Sequence, residues 1–158
     1  LSDDDRPVIA AARARAQETG APALAIELPD GRIVTGKTSA LLGPSAAVLL
    51  NALKTLGGIE KETPLISPAV IGPIQELKCH YLGNHNPRLH SDEILVALSI
   101  CAASHETAAR AMRQLPLLAH CEAHSTVILP QVDDNVFKRL KMNLTCDPHY
   151  QSRKLYHK

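Results

Sequence analysis

The chain has no tryptophan and a single phenylalanine, Phe137, beside three tyrosines in 158 residues. With so few rings there is no aromatic platform on which nucleic-acid bases would stack. Net charge is lacking too, because 17 basic and 16 acidic residues leave only +1 at neutral pH. That balance gives no electrostatic reason to expect nucleic acid or an anionic membrane as partner. No apolar run approaches the ~20 residues that cross a bilayer, and no charged-then-apolar leader opens the sequence. These absences point to a cytoplasmic protein with neither nucleic acid nor membrane as partner. Paired C-x-x-C spacing is also missing, so Cys79, Cys101, Cys121 and Cys146 are expected as free thiols. The first residue is Leu1 rather than methionine, which suggests a processed or excised piece of something longer.

What is present reads as one α/β domain, long enough to bury a real core. The expected division is an N-terminal helix over 1–20, the α/β domain over 21–150 and a polar, extended tail over 151–158. Asp3-Asp4-Asp5 and Pro7 supply an acidic cap and first-turn proline for a helix to Thr19, which Gly20 stops. ALAIEL (23–28) and RIVT (32–35), flanking Pro29-Asp30-Gly31, spell a β-hairpin. Helices follow at 44–56 and 91–103, with another from Ser104 to about Gln114. Ser67-Pro68 caps a further helical stretch that Gly72-Pro73 should kink or break. Leu65-Ile66, STVIL (125–129) and MNLTC (142–146) read as strands, and Asp133 to Lys141 as a short helix. Strands alternating with helices and opened by a hairpin imply a mixed sheet of four to five strands with helices on both faces.

One motif invites a sharper function. Gly31, Gly36, Lys37 and Thr38 satisfy G-x-x-x-x-G-K-[ST], the loop that wraps backbone N–H groups around a triphosphate. The residues between the glycines, Arg32-Ile33-Val34-Thr35, instead favour a strand. Gly43-Pro44 also interrupts any helix begun at Thr38. A hairpin arm followed by a polar connection is therefore expected, not a phosphate loop.

The segments ELPDGRIVTGKTSALLGPSAAVLLNALK, LGNHNPRLHSDEILVALSICAA, CEAHSTVIL and NLTC carry a resemblance. Together they resemble the C-terminal part of a bacterial protein family, domain of unknown function 1846, from about Asp5 to Tyr150. The resemblance implies a longer protein with an upstream α/β region that has its own phosphate-loop-like segment. It implies no particular reaction. More distantly, the hairpin, T-G and Ala-rich helix are similar to the start of cytidine-deaminase-like domains. Those place zinc ligands where this chain has Pro44-Ser45-Ala46-Ala47, and P-C-x-x-C is absent here.

Polar chemistry concentrates in three connections. The first holds Lys37, Thr38 and Ser39; the second holds His80, Asn84, His85, Asn86, Arg88 and His90 ahead of the helix start at Ser91; the third holds Glu122, His124 and Ser125. If they converge, Arg88 and the helix N-terminus would hold an anion with Thr38, Ser39, Asn84, His90 and Ser125. His124 would then act as general acid or base and Lys37 as electrostatic stabiliser. His80, His85 and His90 recur every five residues, a spacing that matches neither one helix face nor one strand face, so no metal or other cofactor is expected. The favoured expectation is an enzyme domain for a phosphorylated or nucleotide-like small molecule. Its alternative is a non-catalytic scaffold that packs on the upstream domain and forms a homo-oligomer.

Overall fold

The computed structural model describes residues 6–149; the acidic cap at Asp3 to Asp5 and the tail after Tyr150 lie outside them. Strand β1 (Ala23–Glu27) alternates its side chains between two cores. Ala25 packs with Val8, Ile9 and Ala12 of helix α1 (Pro7–Thr19), while Leu24 and Ile26 enter the main cluster. That alternation puts helices on both faces. α1 ends at Gly20, whose left-handed φ of 71° lets its N–H reach Ala16 O at 2.8 Å.

The expected hairpin forms. β2 (Ile33–Lys37) pairs antiparallel with β1, and Gly31 in the turn takes φ 90°. The sheet order is β2-β1-β3-β4, with β3 (Glu122–Ser125) antiparallel to β1 and β4 (Asn143–Cys146) parallel to β3. This is a four-stranded mixed sheet with β2 and β4 as its edges.

Helix α2 (Pro44–Leu56) covers β1 and β2 and buries Val48, Leu49, Ala52 and Leu53. It comes so near that a Cβ on Gly36 would overlap the backbone of Val48. α3 (Pro68–Glu76) is capped by Ser67, whose hydroxyl accepts from Ala69 N at 3.1 Å. Gly72-Pro73 does not break α3, which instead widens into a π turn over Leu77–Tyr81. Helices α4 (Ser91–Ala102), α5 (Glu106–Met112) and α6 (Gln131–Arg139) complete the layer on the α2 side. Phe137 is fully enclosed there. Such a ring contributes roughly 1.5–3 kcal/mol through its removal from water.

Two strand expectations need correction. Leu65-Ile66 is buried but bent, and pairs with no strand. Between Pro64 and Pro68 the segment is too short to span an edge, and its apolar side chains plug the core instead. The third strand occupies 122–125 rather than 125–129. Ser125 ends it by donating its hydroxyl to Val127 O at 2.6 Å while accepting from Val127 N at 3.2 Å. That local turn diverts the chain, and Val127 and Leu129 are buried as loop residues.

Candidate functional site

His124, expected in an anion pocket with its position fixed by the sheet, lies within β3. It lies opposite Ala25 and so faces α1. Its Nε2 is 3.0 Å from Asp147 Oδ1 and its Nδ1 is 2.7 Å from Thr145 Oγ1. Asp147 also accepts from Arg13 of α1, through NH2 at 2.8 Å and Nε at 3.2 Å. Arg6 donates to Thr145 Oγ1 at 2.7 Å and pairs with Glu122 at 2.8 Å. The group is a polar latch holding α1 to β3 and β4. The Arg13 guanidinium, helped by His124, keeps the Asp147 carboxyl below its ordinary value against burial.

A second network joins the starts of α4 and α6 on the other face. Asp133 accepts from Ser91 N at 2.8 Å and Ser91 Oγ at 2.6 Å, with His90 Nδ1 at 3.3 Å. Burial alone would raise the Asp133 carboxyl, but the bonds from His90 and Ser91 hold it below the usual range. The same hydrogen bond raises His90 above its ordinary value against its own burial. Glu93 accepts His90 N at 2.8 Å and also takes the buried Lys78 ammonium at 2.9 Å. Lys78 donates a further bond to Arg88 O at 2.6 Å. This is a satisfied capping network for a helix N-terminus.

The remaining predicted residues divide accordingly. Arg88 Nε donates to Ser39 O at 2.6 Å, and Leu42 and Leu89 form a short parallel bridge that brings these loops together. Thr38 is buried and its hydroxyl donates to Pro22 O, Ser125 is buried in its own turn, and Asn84 is exposed with its Oδ1 accepting from Asn86 N. Lys37, Ser39 and Arg88 therefore lie near one another, while His124 stands apart under α1. Among the described residues no group of His, Cys, Asp and Glu is arranged to hold a metal. All four cysteines are free, and burial pushes the Cys121 and Cys146 thiols up, away from the reactive thiolate.

Lys37 instead opens onto a cleft of about 500 Å³ that runs along β2. Arg15 of α1, Lys37, and Lys54 and Lys61 from α2 and its following loop line it, together with Ser39, Asn51 and Thr55. Among its lining residues are four cations, no carboxylate and no histidine. Glu18 pairs with Arg15 at 2.6 Å from outside the lining. Arg15 Nε is enclosed with no hydrogen-bond partner, an exception to the rule that buried donors are paired. Burial lowers the Lys54 ammonium below its ordinary value against the pull of Glu62. Sequence reasoning missed Arg15, Lys54 and Lys61, because single cations on separate helices and turns read as solvated faces. The signal was their proximity to an edge strand.

Fold and cleft define an α/β domain with a cationic groove along one sheet edge. The chain belongs to the family described as Domain of unknown function DUF1846, C-terminal, which matches residues 4–156. It is 58% identical over 158 residues to a UPF0371 protein of Streptococcus thermophilus, covering 100% of this chain and 32% of that protein. A UPF0371 protein of Streptococcus pyogenes serotype M3 is 56% identical over the same share of both chains. The chain thus spans about a third of the length of the curated relatives it matches. Among the described residues no helix is long and apolar enough to cross a membrane.

Proposed function

We propose that this domain is an anion-binding module whose ligand carries phosphate or carboxylate groups and lies in the cleft along β2. One observation carries the reading: four cationic side chains line one concave surface with no acidic residue among them. Lys37 supplies charge from the strand, and Ser39 with the neighbouring Arg88 extends the polar surface at its end. The reading is one of binding. The histidine expected to move protons, His124, is engaged by Asp147 and Thr145 and is not among the residues that line the cleft. The likeness of the hairpin and Ala-rich helix to deaminase-like domains supports the fold reading without zinc chemistry.

Titrating the full-length protein with pyrophosphate and with citrate, followed calorimetrically, tests this. Lys37→Glu is expected to weaken binding of either anion about tenfold, equivalent to ~1.4 kcal/mol. Absence of binding at millimolar anion would overturn the proposal. A scaffold role in a homo-oligomer, packed on the rest of the longer protein, draws support from Leu77, Tyr81 and Leu82, which are grouped and exposed at the π turn. Charged substitutions at Tyr81 and Leu82 that leave the full-length assembly intact would remove that support.

A further inference from the structure

β2 is an edge strand, and its hydrogen-bonding pattern decides what its outer side offers. Leu28 N donates to Arg32 O at 2.7 Å and Thr38 N to Pro22 O at 3.1 Å, so even-numbered residues of this arm bond inward to the β1 arm. Ladder alternation then turns the N–H and C=O groups of Ile33, Thr35 and Lys37 outward. Asn51 Nδ2 donates to Thr35 O at 2.8 Å, which satisfies one of them. The other outward groups face the cleft edge.

Side chains around this edge are cationic on both faces. Thr35 lies opposite Ala25 and Lys37 opposite Ala23, so Lys37 shares the face covered by α1 and its Arg15. Lys54 and Lys61 flank the other face, where Lys54 Nζ donates to Lys61 O at 3.0 Å. A strand laid against β2 would point successive side chains alternately toward these two faces. Acidic residues would meet a cation on either side. A second copy of β2 would instead bring two sets of cations together.

We propose that the ligand of this cleft is an extended acidic polypeptide segment that adds to β2 as a fifth strand. The inference rests on the anion-binding reading and names its ligand. Main-chain hydrogen bonds to Ile33, to Lys37 and to the N–H of Thr35 supply registry, and carboxylates facing Arg15, Lys37, Lys54 and Lys61 supply selectivity. The five residues of β2 present roughly 17 Å of edge, at about 3.4 Å per residue.

The test uses the full-length protein with three probes: hexaglutamate, hexaglutamate N-methylated at alternate residues, and pyrophosphate. Hexaglutamate is expected to bind and to slow amide exchange at Ile33, Thr35 and Lys37. N-methylation keeps every carboxylate but removes the donors of one peptide edge, so binding is expected to fall at least tenfold. Lys37→Glu combined with Lys61→Glu changes two exposed side chains and is expected to abolish peptide binding without altering the thermal midpoint. Equal binding of both peptides, or binding of pyrophosphate without peptide binding, would overturn the added strand and leave the anion cleft standing. Failure of all three probes to bind would remove the cleft reading itself. Protection of the three amides in the unliganded protein also overturns the proposal: in a dimer it assigns the edge to a second copy, in a monomer to the rest of the longer chain.

Discussion

Replacing Gly36 with alanine separates a packing glycine from a phosphate-loop glycine. An added Cβ would sit 2.6 Å from Val48 Cα and 2.8 Å from the carbonyl carbon of Ala47, and would overlap Val48 N. The obstacle is helix backbone, so no rotamer change relieves it. Restoring ordinary contact requires α2 to back away from β2 by about 1 Å. That shift loosens Val48, Leu49 and Leu53 against Leu24 and Ile26, which share one core. Overpacking costs about 1–3 kcal/mol, and a backbone obstacle places this case near 3 kcal/mol. For a domain of this size the thermal midpoint should fall roughly 6–12 °C. Scanning calorimetry of the full-length protein, with hydrogen exchange on α2 to localise the effect, measures it. A midpoint within 1 °C of the parent would refute the argument. An intact fold that has selectively lost triphosphate binding would refute it too, and would restore the loop that the letters of the motif suggest.

Three further outcomes follow from the polar networks. His90 titrates above its ordinary value of 6.5 in the fold, so its bond to Asp133 stabilises below that pH and fades as pH rises through the folded value. The stability gap between parent and His90→Ala should therefore narrow from pH 6 to pH 8 in urea titrations. Asp147 titrates below its ordinary value of 3.8, so its contribution is present above that pH and lost on acidification. Asp147→Asn should cost about 2 kcal/mol at neutral pH and speed amide exchange in α1; unchanged α1 protection would show that Arg13 and His124 do not hold the helix. Lys78→Ala strips the donor from Glu93 and from Arg88 O, and should cost about 2–4 kcal/mol, whereas an effect under 0.5 kcal/mol would mean that water replaces the ammonium.

The parts of the fold legible in the sequence were those set by short-range chemistry. Asp30-Gly31 between two aliphatic runs specified the hairpin, and Ser67-Pro68 and Gly20 marked real helix ends. The third strand was misplaced because its pairing partner is far away. Val127, Ile128 and Leu129 have better strand propensity than Glu122, Ala123 and His124, yet β1 pairs with the latter. For the candidate site, Lys37 stood out as part of the polar connection after the second strand, whereas the partners of His124 had no such marker. Asp147 and Arg13 come from opposite ends of the described chain, and no periodicity links them. Polar residues gathered in a loop look alike whether they await a ligand or cap a helix. His90 and Ser91 are tied into the fold by Asp133, 42 residues beyond Ser91.

The central place of β1 also bears on how the chain is made. β1 receives β2 almost at once, but its other edge waits for β3, and Glu27 and its partner Glu122 are 95 residues apart (122 − 27). At ribosomal speeds of about 5–20 residues per second, that edge emerges on the order of ten seconds before its mate. During synthesis the hairpin is a two-stranded ribbon with both sides open, and a ribbon of that kind is marginal in water. α1 and α2 are complete by Leu56, so they can sheathe both faces while the side awaiting β3 stays bare. On the β1 side, exposure to stray strand pairing falls on Ala23, Ala25 and Glu27 until a four-residue strand from the last quarter closes it, whereas the outer side of β2 stays an edge in the finished sheet.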